Sequence, residues 1–206
     1  MPMPIPPSET TSLLKGATVP IPILAVPELS WMRMPEVAPL VPTRNLMLSE
    51  VDGECLPYKV GKHQHLPEII EGLHSFTGTK CEPFFTTHLL ATRRGIVSSI
   101  YAVANSAITT GDLELVFKEA YADYPLVRAG AITVPKGKLA PGWMNLRSVV
   151  GSARCHIGFE TSGNKVFLFS MIDNLLKGAA GQAVENLNRL FGWPVETGLL
   201  EQEGVL

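Results

Sequence analysis

The densest concentration of residues able to do chemistry is Tyr58-Lys59-Val60-Gly61-Lys62-His63-Gln64-His65-Leu66-Pro67-Glu68. In an extended segment residues two apart point to the same side, so His63 and His65 would present two imidazoles together. They would do so at the entrance to a helix, because Pro67 suits a first helical position and Glu68 places a negative charge in the first turn. An imidazole titrating near neutrality gives and takes protons, and a helix N-terminus beside it favours an anionic ligand. The same spacing also fits a surface loop in which both histidines are merely polar. A metal would need a third ligand. His74, His88, Glu68 and Cys81 are available, but no spacing resembles a closed zinc set, so no metal is expected.

A second cluster is Ile172-Asp173-Asn174-Leu175-Leu176-Lys177-Gly178-Ala179-Ala180-Gly181-Gln182-Ala183. A glycine inside a helix costs about 1 kcal/mol relative to alanine, so Gly178 and Gly181 suggest close approach of another backbone or a ligand. Tight packing of the helix with no ligand explains them equally. They are three apart and share a face in either case.

The elements that must position these residues follow from pattern and punctuation. A short helix is expected from about Pro67 to His74, with Ile69, Ile70 and Leu73 on its apolar face. Phe84 to Leu90 and Ile96 to Val103 are rich in aromatic and β-branched residues and flank the turn Thr92-Arg93-Arg94-Gly95, so both read as strands. Thr110 can cap a helix that carries Leu113, Val116, Phe117 and Ala120 at helical spacing and that Pro125 ends after Tyr124. Leu126 to Val134 reads as a strand, and Cys155 to Glu160 with Lys165 to Ile172 as a hairpin across Thr161-Ser162-Gly163-Asn164. A last helix is expected from near Asp173 to Phe191, stopped by Gly192 and Pro194. This order implies an α+β fold, a mostly antiparallel sheet covered by helices.

The chain has 206 residues, of which 46% are hydrophobic, enough to bury one substantial core. Residues 1–42 form an atypical Pro-rich segment with ten prolines, and residues 43–206 are expected to form one domain. The prolines break the only hydrophobic run of this segment early, so neither a targeting nor a membrane-spanning segment is expected. A formal charge of −2 without a Lys/Arg stripe argues against a nucleic-acid partner. Cys55, Cys81 and Cys155 are an odd number with no CxxC spacing, which suggests no disulfide framework and fits a reducing cytoplasm.

Four motifs in order carry a resemblance. The run Ile172 to Gln182, continued by Ala183-Val184-Glu185-Asn186 and the ending Leu190-Phe191-Gly192 to Thr197-Gly198-Leu199, is similar to the C-terminal signature of N-acetyl-gamma-glutamyl-phosphate reductases. Lys62-His63-Gln64-His65-Leu66-Pro67-Glu68-Ile69 resembles that family's His-x-His-x-Pro-Glu-Ile motif. Thr87-His88-Leu89-Leu90 with Arg94-Gly95-Ile96, and Gly151-Ser152 to Cys155-His156-Ile157-Gly158, resemble two further short motifs, with His156 where the family commonly has an acidic residue. The match runs from about Thr43 to Leu199.

The resemblance implies an oxidoreductase of arginine biosynthesis. In that family a cysteine attacks an acyl phosphate, phosphate leaves, and hydride from NADPH reduces the thioester to the semialdehyde. By resemblance His65 is the catalytic acid/base; His63, Glu68, Tyr58 and Arg94 would bind substrate; Asn174 and Gly178 would lie against the cofactor. The fold implied is the C-terminal, dimerising domain of the glyceraldehyde-3-phosphate and semialdehyde dehydrogenase superfamily, so a homo-oligomer acting on a small acyl phosphate is expected. Neither a glycine-rich nucleotide loop nor the family's Gly-Cys-Tyr-Pro motif stands before His63. The chain therefore resembles the C-terminal portion, and by itself it is expected to be a truncated, inactive form. Two other readings stay open: a related carrier-linked reductase of lysine biosynthesis, and a non-catalytic oligomerisation remnant.

Overall fold

A computed structural model of the protein describes residues 51–134, 136–138 and 141–200. The Pro-rich segment lies outside the described residues. The described residues divide into two compact units, one reaching from residue 51 to Arg93 and one from Arg94 to residue 200. Each is described by itself.

The described part of the first unit is a two-stranded antiparallel ribbon with one helix. Strand β1 (Cys55–Tyr58) pairs with β2 (Thr87–Leu90), Cys55 opposite Leu90 and Tyr58 opposite Thr87. The Thr87 hydroxyl donates to the Tyr58 carbonyl at 2.7 Å. Sequence pattern gave no sign of β1, because four residues containing Pro57 show no alternation and all of them are exposed. The strand expected over Phe84–Leu90 is confined to β2. Helix α1 (Leu66–Thr77) begins as Pro67 and Glu68 dictate and runs one turn beyond the expected end. It stops at Gly78, whose φ of 66° lets its N–H reach the His74 carbonyl. Within α1 only Leu73 is buried.

The second unit holds a four-stranded sheet in the order β3-β6-β5-β4, with β3 at Ile96–Val103, β4 at Val127–Ala131, β5 at Cys155–Ser162 and β6 at Lys165–Ile172. β5 and β6 form the expected hairpin, but its loop is tighter than expected. Ser162 already pairs with Lys165, and Gly163 turns the chain at φ 63°. The sheet is mostly antiparallel, as expected, with one exception: β4 runs parallel to β5, Val127 opposite Cys155 and Ala131 opposite Phe159. A parallel neighbour requires a long crossover, which residues 132–154 supply. β2 and β3, adjacent in sequence, do not pair with each other; β2 joins β1 and β3 joins β6.

Strand alternation divides this sheet into two faces. One face carries Cys155, Ile157, Phe159, Val166, Leu168 and Ser170, all buried. Against it lies α2 (Thr110–Ala120), whose Phe117 ring stacks on Phe159 at 5.0 Å. Leu113, the other buried residue of α2, follows from the expected helical spacing. The start of α2 is fixed one residue earlier than expected: Thr109 is the cap, its hydroxyl accepting the Asp112 N–H while the Asp112 carboxylate accepts the Thr109 N–H. The opposite face carries Val97, Tyr101 and Val103 of β3 beside Phe167, Phe169 and Met171 of β6, with Tyr101 67% exposed and set edge-on to both phenylalanines.

The last helical segment begins as a π-helical turn, Leu176–Ala180, and continues as α3 (Gly181–Leu190). Gly178 and Ala180 donate to the carbonyls five residues back, at Asp173 and Leu175. Its buried residues include Glu185 and Asn188, while Val184, Leu187 and Leu190 are exposed. Apolar spacing, which is a sign of the buried side in most surface helices, here marks the outward side.

Candidate active-site residues

In the first unit Tyr58, His63 and His65 come together. The His63 ring lies 4.9 Å from that of His65 and 5.7 Å from that of Tyr58, centroid to centroid, and Phe85 closes the set at 5.3 Å from His63. All these pairs meet edge to face, the arrangement aromatic quadrupoles favour. The two imidazoles are unequal, which alternation alone does not convey. His63 is 9% exposed, whereas His65 stands in the turn before α1, exposed to solvent. The backbone there is a turn and not a strand, with Lys59 at φ 48° and Gly61 at φ 66° bending the chain back. His63 Nδ1 accepts the His65 N–H at 3.3 Å. A neutral His63 then carries its proton on Nε2.

Burial holds the His63 imidazole below the ordinary histidine range, and the neighbouring charges of His65 and Lys59 push it the same way. Lys59 itself is directed to Gln64, its Nζ donating to Oε1 at 3.2 Å. Glu68, also expected at the site, is exposed in the first turn of α1. Phe85 and the Lys59–Gln64 contact are not legible from spacing. Phe85 lies 22 residues from His63, and only the β1–β2 pairing brings it back.

In the second unit Arg94, Asn174 and Gly178 belong to one construction centred on Asp173. The Asp173 carboxylate has no exposed side-chain surface and accepts from Arg94 Nη2 at 2.8 Å, from the Gly151 N–H at 2.8 Å, and from the N–H groups of Leu175 and Leu176 at 2.8 and 3.1 Å. Burial by itself would raise its pKa; the hydrogen bonds from Gly151, Leu175, Arg94 and Leu176 outweigh burial and hold it below the usual carboxylate range. Asn174 Oδ1 accepts the Gly95 N–H at 2.6 Å. Consecutive residues Arg94-Gly95 and Asp173-Asn174 are thus joined twice. Only glycine serves at position 95: its φ is 109°, and a Cβ there would stand 2.5 Å from Leu146 Cδ1.

Asp173 is the residue that sequence reasoning passed over. The available signal was an acidic residue at the end of an apolar strand, one position before a helix start. Arg94 was expected to bind substrate; one arm of its guanidinium is committed to Asp173, and Nε is buried without a partner among the described residues. Of the two helical glycines, Gly181 is accounted for by packing, since a Cβ there would meet the Leu176 carbonyl oxygen at 2.7 Å and Ala153 Cβ at 3.3 Å. Gly178 is exposed, with Ile172 Cδ1 at 3.3 Å from its hypothetical Cβ.

Below this turn Lys177 Nζ bonds both oxygens of Glu185, at 2.7 and 2.8 Å, and the Tyr124 hydroxyl at 3.1 Å, while that hydroxyl also donates to Glu185. Glu185 is fully buried. A buried carboxylate is tolerated only with such pairing, and here it ties the π-helical turn to α3 and to the segment after α2. Cys155 is buried, and desolvation first of all raises its thiol pKa, which suits a packing role and not a nucleophile. Among the described residues no group of three His, Cys, Asp or Glu is placed to hold a metal ion, and no helix is long and apolar enough to cross a membrane.

Comparison with known proteins identifies the family and the fold. The chain is 38% identical over 161 residues to N-acetyl-gamma-glutamyl-phosphate reductase of Staphylococcus saprophyticus, which covers 77% of this chain and 44% of that protein. It is 40% identical over 144 residues to N-acetyl-gamma-glutamyl-phosphate reductase 2 of Lactiplantibacillus plantarum, covering 69% and 40%, and 40% identical over 151 residues to the reductase of Moorella thermoacetica, covering 72% and 41%. The chain thus spans less than half the length of these relatives. The aspartate semialdehyde dehydrogenase of Francisella tularensis superposes with a TM-score of 0.50 at 18% identity, over 68% of this chain and 39% of that one, a likeness of fold. Residues 41–174 match the family described as semialdehyde dehydrogenase, dimerisation domain, and with most of its length matched the chain belongs to that family.

Proposed function

We propose that this chain forms the substrate-side, dimerising portion of an NADPH-dependent N-acetyl-gamma-glutamyl-phosphate reductase. The observation that carries the reading is the unequal histidine pair, an exposed His65 held at the start of α1 by a buried, less basic His63. It lies within a stretch 38–40% identical to reductases of that name.

In this reading a cysteine thiolate of the complete enzyme displaces phosphate from the acyl group, and the resulting thioester is reduced to the aldehyde with return of the thiol. NADPH, when bound, supplies the hydride. His65, exposed and free to meet substrate, takes the thiol proton and later gives a proton to the carbonyl oxygen. His63 accepts the His65 backbone N–H, and burial disfavours a second positive charge on it beside His65. Tyr58 and Glu68 flank the pair from the end of β1 and the first turn of α1 and would contact substrate. Arg94 would offer the donors not used by Asp173 to an anionic group of the substrate.

Asn174 and Gly178 fit a nicotinamide. The carboxamide of Asn174 is held by the Gly95 N–H through its oxygen, which leaves its NH2 group to donate to an amide carbonyl. Gly178, exposed and without a side chain, lets a ring come close to the π-helical turn. The outward apolar side of α3, Val184, Leu187 and Leu190, would then pack on the cofactor domain.

The test is a chimera in which Thr43 onward replaces the matching half of the Staphylococcus saprophyticus relative. NADPH-dependent reduction of N-acetyl-gamma-glutamyl phosphate is expected, and His65→Asn should lower kcat by about 10²-fold with NADPH binding intact, while His63→Asn acts mainly on KM. A folded chimera whose turnover is indifferent to His65→Asn would sink the assignment.

We infer further that the sheet face bearing Tyr101, Val103, Phe167 and Phe169 pairs with a second copy of the chain, as the family's name for this domain suggests and as its exposed aromatic surface favours. Tyr101→Lys should shift the sedimenting species of the full chain to the monomer; an unchanged dimer would place the interface elsewhere.

A further inference from the structure

The last helical segment changes register partway along its length. The N–H groups of Gly178, Ala180 and Gly181 donate to carbonyls five residues back, at Asp173, Leu175 and Leu176, and the ordinary spacing resumes in α3. Single π turns of this kind recur at functional sites. Beside this one lies a cluster of charges that the histidine chemistry does not use. The Lys177 side chain is 12% exposed, and its Nζ bonds both carboxylate oxygens of Glu185, the Tyr124 hydroxyl and Gln182 Oε1.

The spacing of this pair depends on the register. An α-helix advances about 100° per residue, so seven residues return to within about 20° of the same side and eight overshoot it by about 80°. In an unbroken α-helix the residue on the side of Lys177 two turns later is therefore Val184. The π turn takes up one extra residue and puts Glu185 there instead, eight residues from its lysine. Val184 is exposed and Glu185 has no exposed surface, so the register also decides which of these neighbours is buried. Gly181 lets the turn close, because a Cβ there would stand 2.7 Å from the Leu176 oxygen that its own N–H bonds. Turn and ion pair thus require each other: in α register the buried carboxylate would lose its cation.

Asn174 and Gly178 stand before and within the extra residue, and α3 follows it. A slip of one residue would rotate the first two against α3 by about 100°. We propose that Lys177 is a positioning residue: its pairing with Glu185 and Tyr124 holds Leu176–Ala180 in π register and thereby sets where Asn174 and Gly178 stand against the cofactor. The second half of this inference rests on the reductase reading; the first half does not.

Lys177→Met alone would strand a buried carboxylate, so the test uses Lys177→Met/Glu185→Gln, which removes both charges and leaves an acceptor for the Tyr124 hydroxyl. A crystal structure of the full chain carrying both changes is expected to show the Gly178 N–H on the Asn174 carbonyl, four residues back. A π turn that persists without the pair overturns the proposal. Should the double variant fail to fold, Glu185→Gln alone is followed by amide hydrogen exchange. Gly178 and Ala180 should then exchange about tenfold faster with the Phe159 amide unchanged, and equal acceleration at all three, or none, overturns the proposal.

The consequence for the cofactor is read in the chimera described above. There the double variant should lower kcat/KM for NADPH about tenfold, the worth of one hydrogen bond, with KM for the acyl phosphate unchanged. A register that shifts without this loss in an active chimera overturns the positioning role. A chimera without turnover before any substitution counts against the reductase reading alone, and the register in the full chain then decides what the pair does.

Discussion

The two units stabilise themselves in different ways. In Arg94–Leu200 a sheet face and α2 enclose Phe159, Leu113, Leu126, Val149 and Val166, each at most 1% exposed, and even the buried charges Asp173 and Glu185 are fully partnered. In Val51–Arg93 the described buried residues are Val51, His63 and Leu73. A two-stranded ribbon with one helix is marginal by itself, so the histidine pair sits on structure that contributes little core of its own. The described core is thereby separated along the chain from the histidine pair. Substitutions in the core of the second unit should act on folding, and substitutions at His63 on the pH dependence of the first unit.

The largest effect expected from this division is that of Phe159→Ala. It removes a ring with no exposed surface that stacks on Phe117, and a loss of about 3–5 kcal/mol is expected. Urea unfolding followed by far-ultraviolet dichroism measures it; a loss under about 1 kcal/mol would mean that the core of the second unit is not where the sheet and α2 meet.

Next is Asp173→Asn, which keeps shape and leaves Arg94 without its buried counter-charge, at a cost of about 3 kcal/mol. Because the folded carboxyl is held below its ordinary range, its stabilisation is present above a pH of about 4, the unfolded value, and is lost as pH falls further. The variant should therefore lose the part of the acid dependence below about pH 4 that belongs to this group. Equal acid sensitivity in both proteins would show that the Arg94–Asp173 pair does not organise the turn.

The smallest effect is on the first unit. A histidine whose folded pKa is lowered binds its proton more readily unfolded, so its contribution is complete above the unfolded pKa of about 6.5 and is lost as pH falls below it. The resonances of α1 should show an earlier urea midpoint at pH 5.5 than at pH 7.5, and His63→Asn should flatten that difference while leaving the midpoint of the sheet unchanged. A difference equally steep in the variant would assign it to other groups.

Much of this arrangement was open to sequence reasoning, for identifiable reasons. Ile96–Val103 and Lys165–Ile172 were found with their observed ends because long runs of β-branched and aromatic residues permit few alternatives. Pro67 punctuates the start of α1, whereas its end at Gly78 and the Thr109 cap of α2 fall beside the expected His74 and Thr110. The histidine pair and the Asn174-to-Gly181 run were visible as residue types at fixed spacing, since side chains two or three apart are neighbours whatever surrounds them.

What the tertiary structure alone decided is which members of each local set are buried and what they face. Spacing treats His63 and His65 as equals, whereas Tyr58 and Phe85, brought together by the β1–β2 pairing, both pack on the buried His63. Pattern gives Asp173 as a helix start, while its four donors arrive from Arg94, Gly151 and the turn that follows it. The parallel β4–β5 pair requires Arg128 and His156 to meet, and no local period encodes a meeting at that separation. Local sequence fixes backbone propensity within a few residues, whereas burial and charge pairing are set by whichever distant segment supplies the other half of the contact.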